Sequence, residues 1–132
     1  MRIVIAALIA AAMGTAAFAK VPLREVKAID DPMFAVALAI EISDKCDEIG
    51  ARTLKGLTYL NSLKGKAQAM GYSNDEIKAY VKSPAEKARM RAKGEAYMKS
   101  KGLNPKDAAD LCKLGHAEIA SGSLTGSLLK AR

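Results

Sequence analysis

The sequence predicts an all-α protein, a small single-domain bundle of about five to six helices with one disulfide, preceded by a signal peptide. Three observations support this fold class. After residue 20, apolar residues recur at helical spacing, and residues typical of helix starts and stops divide the chain into short segments. No segment shows the alternation of polar and apolar residues that is typical of a strand. The chain has two cysteines in all.

The first nineteen residues have the pattern of a secretory signal peptide. Arg2 provides a positive start, residues 3–12 are apolar, and the stretch 17–19 reads Ala-Phe-Ala, a typical cleavage site. The alternative is an uncleaved membrane anchor, but a spanning helix needs about 20 predominantly apolar residues. We therefore expect a signal peptide over residues 1–19, with Lys20 as the first mature residue and no stable transmembrane anchor after cleavage.

A single helical domain is expected over residues 20–132. If the protein is exported from a bacterial cell, it reaches the periplasm or the medium, and we favour the periplasm. In an oxidising compartment a lone cysteine pair more often forms a disulfide than two free thiols, so we predict a Cys46–Cys112 bond. The chain-entropy model values closure of such a long loop at about 4 kcal/mol. No CxxC or CxxCH motif is present, and one histidine is too few for a Cys/His zinc site.

The central helix is predicted to begin at Asp31. Asp31 is a good N-cap, Pro32 suits the first helical position, and every residue from 33 to 40 is apolar. A helix that is apolar nearly all round should be buried, and this one leads to Cys46. Residues 20–30, which precede it, are expected to be an extended lead-in.

A second helix is predicted over residues 51–70. Its apolar residues share one stripe, and Gly71 is a natural stop. Residues 47–50, which separate it from the central helix, are expected to form a turn or a kink. The predicted stripe consists of Leu57, Leu60, Leu63, Ala67 and Met70.

Two capping patterns begin the next helices. Ser73 and Glu76 form an S-x-x-E capping box that opens a short helix. Ser83, Pro84 and Glu86 combine an N-cap, a first-turn proline and a second capping-box acid. The second of these helices should run to about residue 101, because Gly102 follows.

Two further helices complete the predicted bundle. One begins at about Asn104-Pro105 and ends near Ser121, and its Gly115 would let another backbone come close. A last short helix is predicted over residues 124–129, and its leucines are expected to cover the core.

The sequence also resembles a family, domain-of-unknown-function family 5333, whose members are small secreted alphaproteobacterial proteins. The resemblance covers nearly all of residues 20–132 and is most specific in the runs GYSNDEIKAYVKSPAEKARMRAKGEAYMKSKG and LCKLGHAEIASGSLTGSLL. It implies a helical, exported protein, and it assigns no activity, cofactor or site residue.

The excess positive charge is concentrated in one segment. The chain has a formal net charge of +7, and residues 82–106 carry eight bases and two acids. Within that segment, Lys87, Arg89, Arg91 and Lys93 are predicted to form a surface for an anionic partner, with Arg89 and Lys93 on an exposed helix edge. The alternative is a solvated helix whose lysines snorkel and whose charges pair locally.

A catalytic site is not expected. His116 is the only histidine, and no nucleophile or orienting carboxylate stands at a spacing that would make it a general base. The acids Asp44, Asp47 and Glu48 do not fit an EF-hand loop. We therefore expect no enzyme activity, no metal site and no cofactor.

These observations favour a non-enzymatic binding or envelope-maintenance protein with a basic surface. Its partner would be an anionic envelope component or an acidic protein. Nucleic acid is not expected, because the compartment is wrong and the basic segment offers no exposed aromatic residue for stacking. The alternative is a small-molecule or lipid carrier with an apolar cavity between helices. The sequence leaves the oligomeric state open.

Overall fold

The computed structural model describes residues 20–132, and the predicted signal peptide at 1–19 lies outside them. Within the described part, six α-helices and a pair of short strands follow a 3₁₀ turn at Leu23–Glu25. The all-α class is confirmed. The elements are α1 (Lys27–Lys45), β1 (Ile49–Ala51), α2 (Thr53–Ala69), α3 (Asn74–Lys82), α4 (Pro84–Ser100), α5 (Ala108–Ser121), α6 (Leu124–Ser127) and β2 (Leu129–Ala131). Within residues 20–132, none of the helices combines the length and apolar character that crossing a bilayer requires.

The central helix starts earlier than the sequence predicts. α1 begins at Lys27, so Asp31 is not its N-cap and Pro32 lies inside the helix. Within the stretch expected to be extended, Leu23–Glu25 form the 3₁₀ turn and residues 27–30 form the first turn of α1. Packing explains the difference, because Ile29 and Asp30 are both buried and are held in helical conformation by their neighbours.

The two ends of the fold are joined by a small sheet that the sequence did not predict. β1 and β2 are antiparallel and pair Ile49 with Ala131 and Ala51 with Leu129. The last helix therefore stops at Ser127 rather than at residue 129. Strands of three residues are too short to show alternation, and the pairing depends on residues far apart in the chain.

The predicted helix caps are largely confirmed. The Ser73 side chain accepts a hydrogen bond from the Glu76 backbone, and the Glu76 carboxylate accepts one from the Ser73 backbone. Ser83 caps α4 through the Glu86 backbone at 3.2 Å, but the Glu86 carboxylate binds arginines instead of closing a second box. α5 begins later than expected, because Asp107 caps it.

The core is built around α1. One cluster joins α1 to α4, α5, α6 and the sheet, and a second joins the start of α1 to α2 and α3. The predicted disulfide Cys46–Cys112 is confirmed, with the two Cα atoms 5.3 Å apart across 66 residues of sequence. The larger cluster is centred on Val36, Leu38, Ala39, Ile42, Cys46, Ile49, Met98, Leu111, Leu114, Leu128 and Leu129.

Gly115 permits the close approach of α5 to α1 and β1. A Cβ atom at this position would lie 2.7 Å from Ile42 Cγ2 and 2.5 Å from Ile49 Cδ1. The expected close approach is confirmed, although the atoms that approach belong to side chains rather than to a backbone. This contact places the end of α1 and the first strand against the helix that carries Cys112.

Candidate functional site

A groove of about 850 Å³ lies between α1 and α4. The ends of α3 and α5 and the loop before α5 complete its walls. Most of the lining side chains are apolar, and three are methionines. The apolar lining residues are Met33, Phe34, Val36, Ala37, Leu38, Ile40, Leu60, Val81, Met90, Gly94, Met98, Pro105, Ala108 and Leu111, with Tyr80 at one end.

The facing surfaces of α1 and α4 leave apolar side chains open to solvent. Gly94 faces α1 in this groove, and a Cβ atom built there would be in ordinary van der Waals contact with Phe34 and Leu38, at 3.9 Å. Ile40 is 51% exposed and Val81 is 45% exposed, so apolar side chains remain open to solvent along the groove. The prediction that the apolar part of α1 is buried all round was therefore wrong on this face.

Charged residues surround the apolar lining. Glu41 pairs with Lys45 at the rim. Within residues 20–132, three other rim cations, Lys87, Arg91 and Lys106, form no ion pair. Glu95, also on the rim, is equally free of a cationic partner in this part of the chain. The unpaired charge at the groove mouth is therefore positive on balance.

One end of the groove is closed by a network of ion pairs around Asp30. The Asp30 carboxylate is buried and accepts hydrogen bonds from both terminal nitrogens of Arg89 and from the Tyr80 hydroxyl. Glu86, also buried, accepts from Arg89 Nε at 2.8 Å and pairs with Arg24 Nε at 3.0 Å. The network joins the 3₁₀ turn, α1, α3 and α4.

The network favours the ionised form of Asp30. Burial raises the pKa of this carboxyl, but hydrogen bonds from Arg89 and Tyr80, with the charges of Arg89 and Lys93, outweigh that effect and hold the pKa below its usual range. Burial and the bond to Asp30 raise the pKa of the Tyr80 hydroxyl. Tyr80 is therefore a neutral donor, and Asp30 a charged acceptor.

The four cations predicted to form an anion-binding surface fall into two pairs. Lys87 and Arg91 are exposed and line the groove. Arg89 is part-buried in the Asp30 network, and Lys93 lies 3.6 Å from an Asp31 oxygen with its amine 4.8 Å from the Phe34 ring centroid. The expectation of an exposed edge was wrong for Arg89, because Asp30 holds its side chain against α1. Lys93 stays half-exposed beside Asp31.

His116 lies away from the groove. Its Nε2 atom is 2.8 Å from Glu48 Oε2, and both side chains are well exposed. Glu118, which is close to it in sequence, is buried instead and accepts a hydrogen bond from the Tyr97 hydroxyl at 2.5 Å. Burial and this bond raise the pKa of Tyr97 to about 12. Glu118 thus serves to hold α4 against α5, and it does not orient His116.

The Asp30 network was not predicted from the sequence, and an apolar cavity between helices was expected only under the carrier alternative, without its position or lining residues. The groove reflects a gap between two helices, and Asp30 looked like one of two ordinary acids before a helix. One signal was available: the apolar stripe of α4, which includes Met90 and Gly94, contains a glycine where a filled interface would have a side chain.

Comparison with known proteins gives a family and no characterised relative. The model of the Family of unknown function (DUF5333) matches residues 21–130, nearly all of the described chain. No curated protein and no solved structure matches.

The Asp30 network gives a first prediction, on stability. Replacing Arg89 by Met should lower the free energy of unfolding at pH 7 by about 3 kcal/mol, because it leaves a buried carboxylate without its cation. Lys99→Met is the matched control on the same helix, since Lys99 is exposed and unpaired within residues 20–132, and it should stay within about 0.5 kcal/mol of the parent. Urea unfolding followed by circular dichroism measures both.

The same network predicts a pH dependence. The folded-state pKa of Asp30 is lowered. The ionised carboxylate therefore adds its full contribution to the free energy of unfolding above the unfolded-state pKa of about 3.9. That contribution is lost as the pH falls through the folded-state pKa, so the parent should lose more stability below about pH 4 than Arg89→Met does. Equal stability of the two proteins at pH 7 would contradict the role given to this pair.

Proposed function

The chain belongs to the DUF5333 family, and we propose that it is an exported, non-enzymatic carrier that binds an anionic amphiphile in the groove between α1 and α4. The ligand would place an acyl-type tail on the apolar lining and an acidic head group at the rim. One observation carries the proposal: the groove combines an open apolar surface with three rim cations, Lys87, Arg91 and Lys106, that form no ion pair within residues 20–132.

The size and lining of the groove suit a small apolar ligand. Sites for small molecules are typically clefts of roughly 300–1,000 Å³ with mostly apolar walls and a few polar groups. Met33, Met90 and Met98 add flexible side chains that adapt to ligands of different shape. Apolar side chains at Ile40 and Val81 are exposed without a ligand, and binding would remove this surface from water.

The charge at the rim selects the head group. Glu41 is paired with Lys45, and Glu86 is held by two arginines of the Asp30 network. The remaining lining charges are the three unpaired cations and Glu95. A carboxylate or phosphate head at the mouth would be attracted by this field, and a cationic head would be repelled.

Export is part of the proposal and rests on residues 1–19 and on the disulfide. A signal peptide would deliver the domain to the periplasm, and the Cys46–Cys112 bond is compatible with an oxidising compartment. An amphiphile carrier in that compartment would shield acyl chains from water between membrane surfaces. No catalytic step is required for that role.

The basic-surface hypothesis is the second candidate. Lys82, Lys99 and Lys101 are exposed, and together with Lys87 and Arg91 they could attract an anionic polymer or an acidic protein. We rank this candidate lower because α1 acids engage Arg89 and Lys93, half of the predicted surface. A polymer held by charge alone would also leave the apolar groove unused.

The rim charges provide the first test. In the double variant Lys87→Glu and Arg91→Glu, dodecanoate affinity at 0.1 M salt should fall about tenfold, since each exposed ion pair is worth about 0.2–1 kcal/mol and reversal adds repulsion. Displacement of a dansyl-labelled fatty acid measures the affinity. The matched control is Lys82→Glu with Lys99→Glu, which makes the same charge change at exposed sites outside the groove.

The control should bind dodecanoate within about twofold of the parent, because Lys82 and Lys99 do not line the groove and salt at 0.1 M weakens their long-range attraction. Dodecyltrimethylammonium has the same tail and a cationic head. It should bind the parent weakly and should bind the Lys87→Glu, Arg91→Glu variant more tightly. An equal loss of dodecanoate affinity in both double variants would instead favour a diffuse basic surface. If the parent does not bind dodecanoate, the carrier hypothesis is wrong.

Filling the groove provides the second test. Gly94→Leu should lower dodecanoate affinity more than tenfold, because the new side chain projects toward Phe34 and Leu38 and occupies the ligand's space. The helix should tolerate the change, since leucine is a better helix former than glycine by about 0.5–1 kcal/mol. Ala92→Leu, at an exposed position of α4, is the matched control and should bind normally. Unchanged binding by a folded Gly94→Leu protein would place the ligand elsewhere.

A further inference from the structure

Three side chains with metal-binding atoms meet at the disulfide, outside the groove, and His116 lies beside them against Glu48. The Sγ atoms of Cys46 and Cys112 and a carboxylate oxygen of Glu48 all lie within 4.8 Å of one another. His116 lies outside this 4.8 Å group and contacts it through Glu48, with its Nε2 atom 2.8 Å from Glu48 Oε2. None of these four residues lines the groove described above.

The fold brings these groups together from two distant segments. Cys112 and His116 are four residues apart on α5, so they lie on one face, one turn apart. Cys46 and Glu48 lie in the turn between α1 and β1, 66 and 68 residues away from their partners. That turn is fixed by hydrogen bonds from the Ile49 amide to the Cys46 carbonyl and from the Arg132 amide to the Glu48 carbonyl.

The chemistry of the set matches one metal. Two thiolates, one imidazole and one carboxylate are ligands that Zn²⁺ accepts in tetrahedral sites, whereas Mg²⁺ and Ca²⁺ prefer oxygen ligands alone. We propose that Cys46, Cys112, His116 and Glu48 form a zinc site that is available only when the Cys46–Cys112 disulfide is reduced. The disulfide would then act as a redox gate for metal binding.

The geometry requires the His116 side chain to move toward the two sulfur atoms, because it lies outside the 4.8 Å group. With Zn–S distances of about 2.3 Å, two thiolates in a tetrahedral site lie about 3.8 Å apart, a spacing that the 5.3 Å between the Cα atoms permits. The His116–Glu48 pair has to open from 2.8 Å to about 3.3 Å to hold a zinc ion between its atoms. Both side chains are well exposed, so the ion can enter from solvent.

The opening step is a thiol–disulfide exchange with a dithiol reductant. A thiolate of the reductant attacks Cys112 Sγ, since Cys112 is part-exposed and Cys46 is buried, and Cys46 leaves as a thiolate. The second thiol of the reductant releases Cys112 and closes the reductant's own disulfide. Two electrons pass to the protein, Zn²⁺ binds the two thiolates, and the two protons of the reductant's thiols are released to water.

Cobalt titration of the full domain tests the gate. Residues 20–132 are reduced with a phosphine, thiol titration confirms two free cysteines, and Co²⁺ is added as a spectroscopic probe. The reduced protein should show thiolate-to-cobalt charge transfer and the intense visible bands of tetrahedral cobalt, and Zn²⁺ should abolish both. The oxidised protein should show neither. An octahedral spectrum, no binding by the reduced protein, or unfolding on reduction that zinc does not reverse would overturn the proposal.

Variants test which residues are ligands. Zinc affinity of the reduced protein, measured by competition with a chelating dye, should fall at least tenfold in Glu48→Gln and in His116→Ala. Asp47→Asn is the matched control, because Asp47 is an exposed neighbouring carboxylate outside the cluster, and it should leave the affinity within about twofold. Parental affinity in both ligand variants would show a bare dithiol site and would overturn the four-ligand assignment.

Discussion

The ion pair between Asp30 and Arg89 fixes how α1 meets α4, and the groove depends on that arrangement. Burial of the Asp30 carboxylate costs free energy unless it is matched by charge and hydrogen bonds. Arg89 supplies the charge, Tyr80 supplies a neutral donor, and Glu86 pairs with both Arg89 and Arg24. The two helices are thus joined at one end by polar contacts, and further along both line the groove.

The opposite end of α1 is held by a covalent bond. Asp30 and Cys46 are separated by sixteen residues, so the ion pair and the disulfide act about 24 Å apart along the helix. Between these two points the groove face of α1 keeps Ile40 exposed. A helix fixed at both ends can present an open apolar face because its position does not depend on packing there. The same arrangement withdraws Arg89 from the surface and leaves Lys87 and Arg91 at the groove mouth.

Local patterns in the sequence were sufficient to predict the presence of the helices, the Ser73 and Ser83 caps and the disulfide. Each of these features depends on neighbouring residues or on a lone cysteine pair. They were not sufficient where distant residues decide the structure. The pairing of Ile49 with Ala131, the helical conformation of residues 27–30 and the contact between Asp30 and Arg89 all depend on tertiary packing. The groove and the proximity of His116 to Glu48 are likewise properties of assembled elements.

Methyl NMR of the parent protein tests most directly whether an anionic amphiphile occupies the groove. Of the four methionines in residues 20–132, Met33, Met90 and Met98 line the groove, and Met70 is outside it, partly exposed on α2 and so a probe of non-specific contact. With ¹³C-methyl methionine labelling and titration by dodecanoate, we expect saturable shifts of the three groove methyls and a stationary Met70 signal. Shifts of equal size at all four methyls, or none at the groove methyls, would contradict binding in the groove.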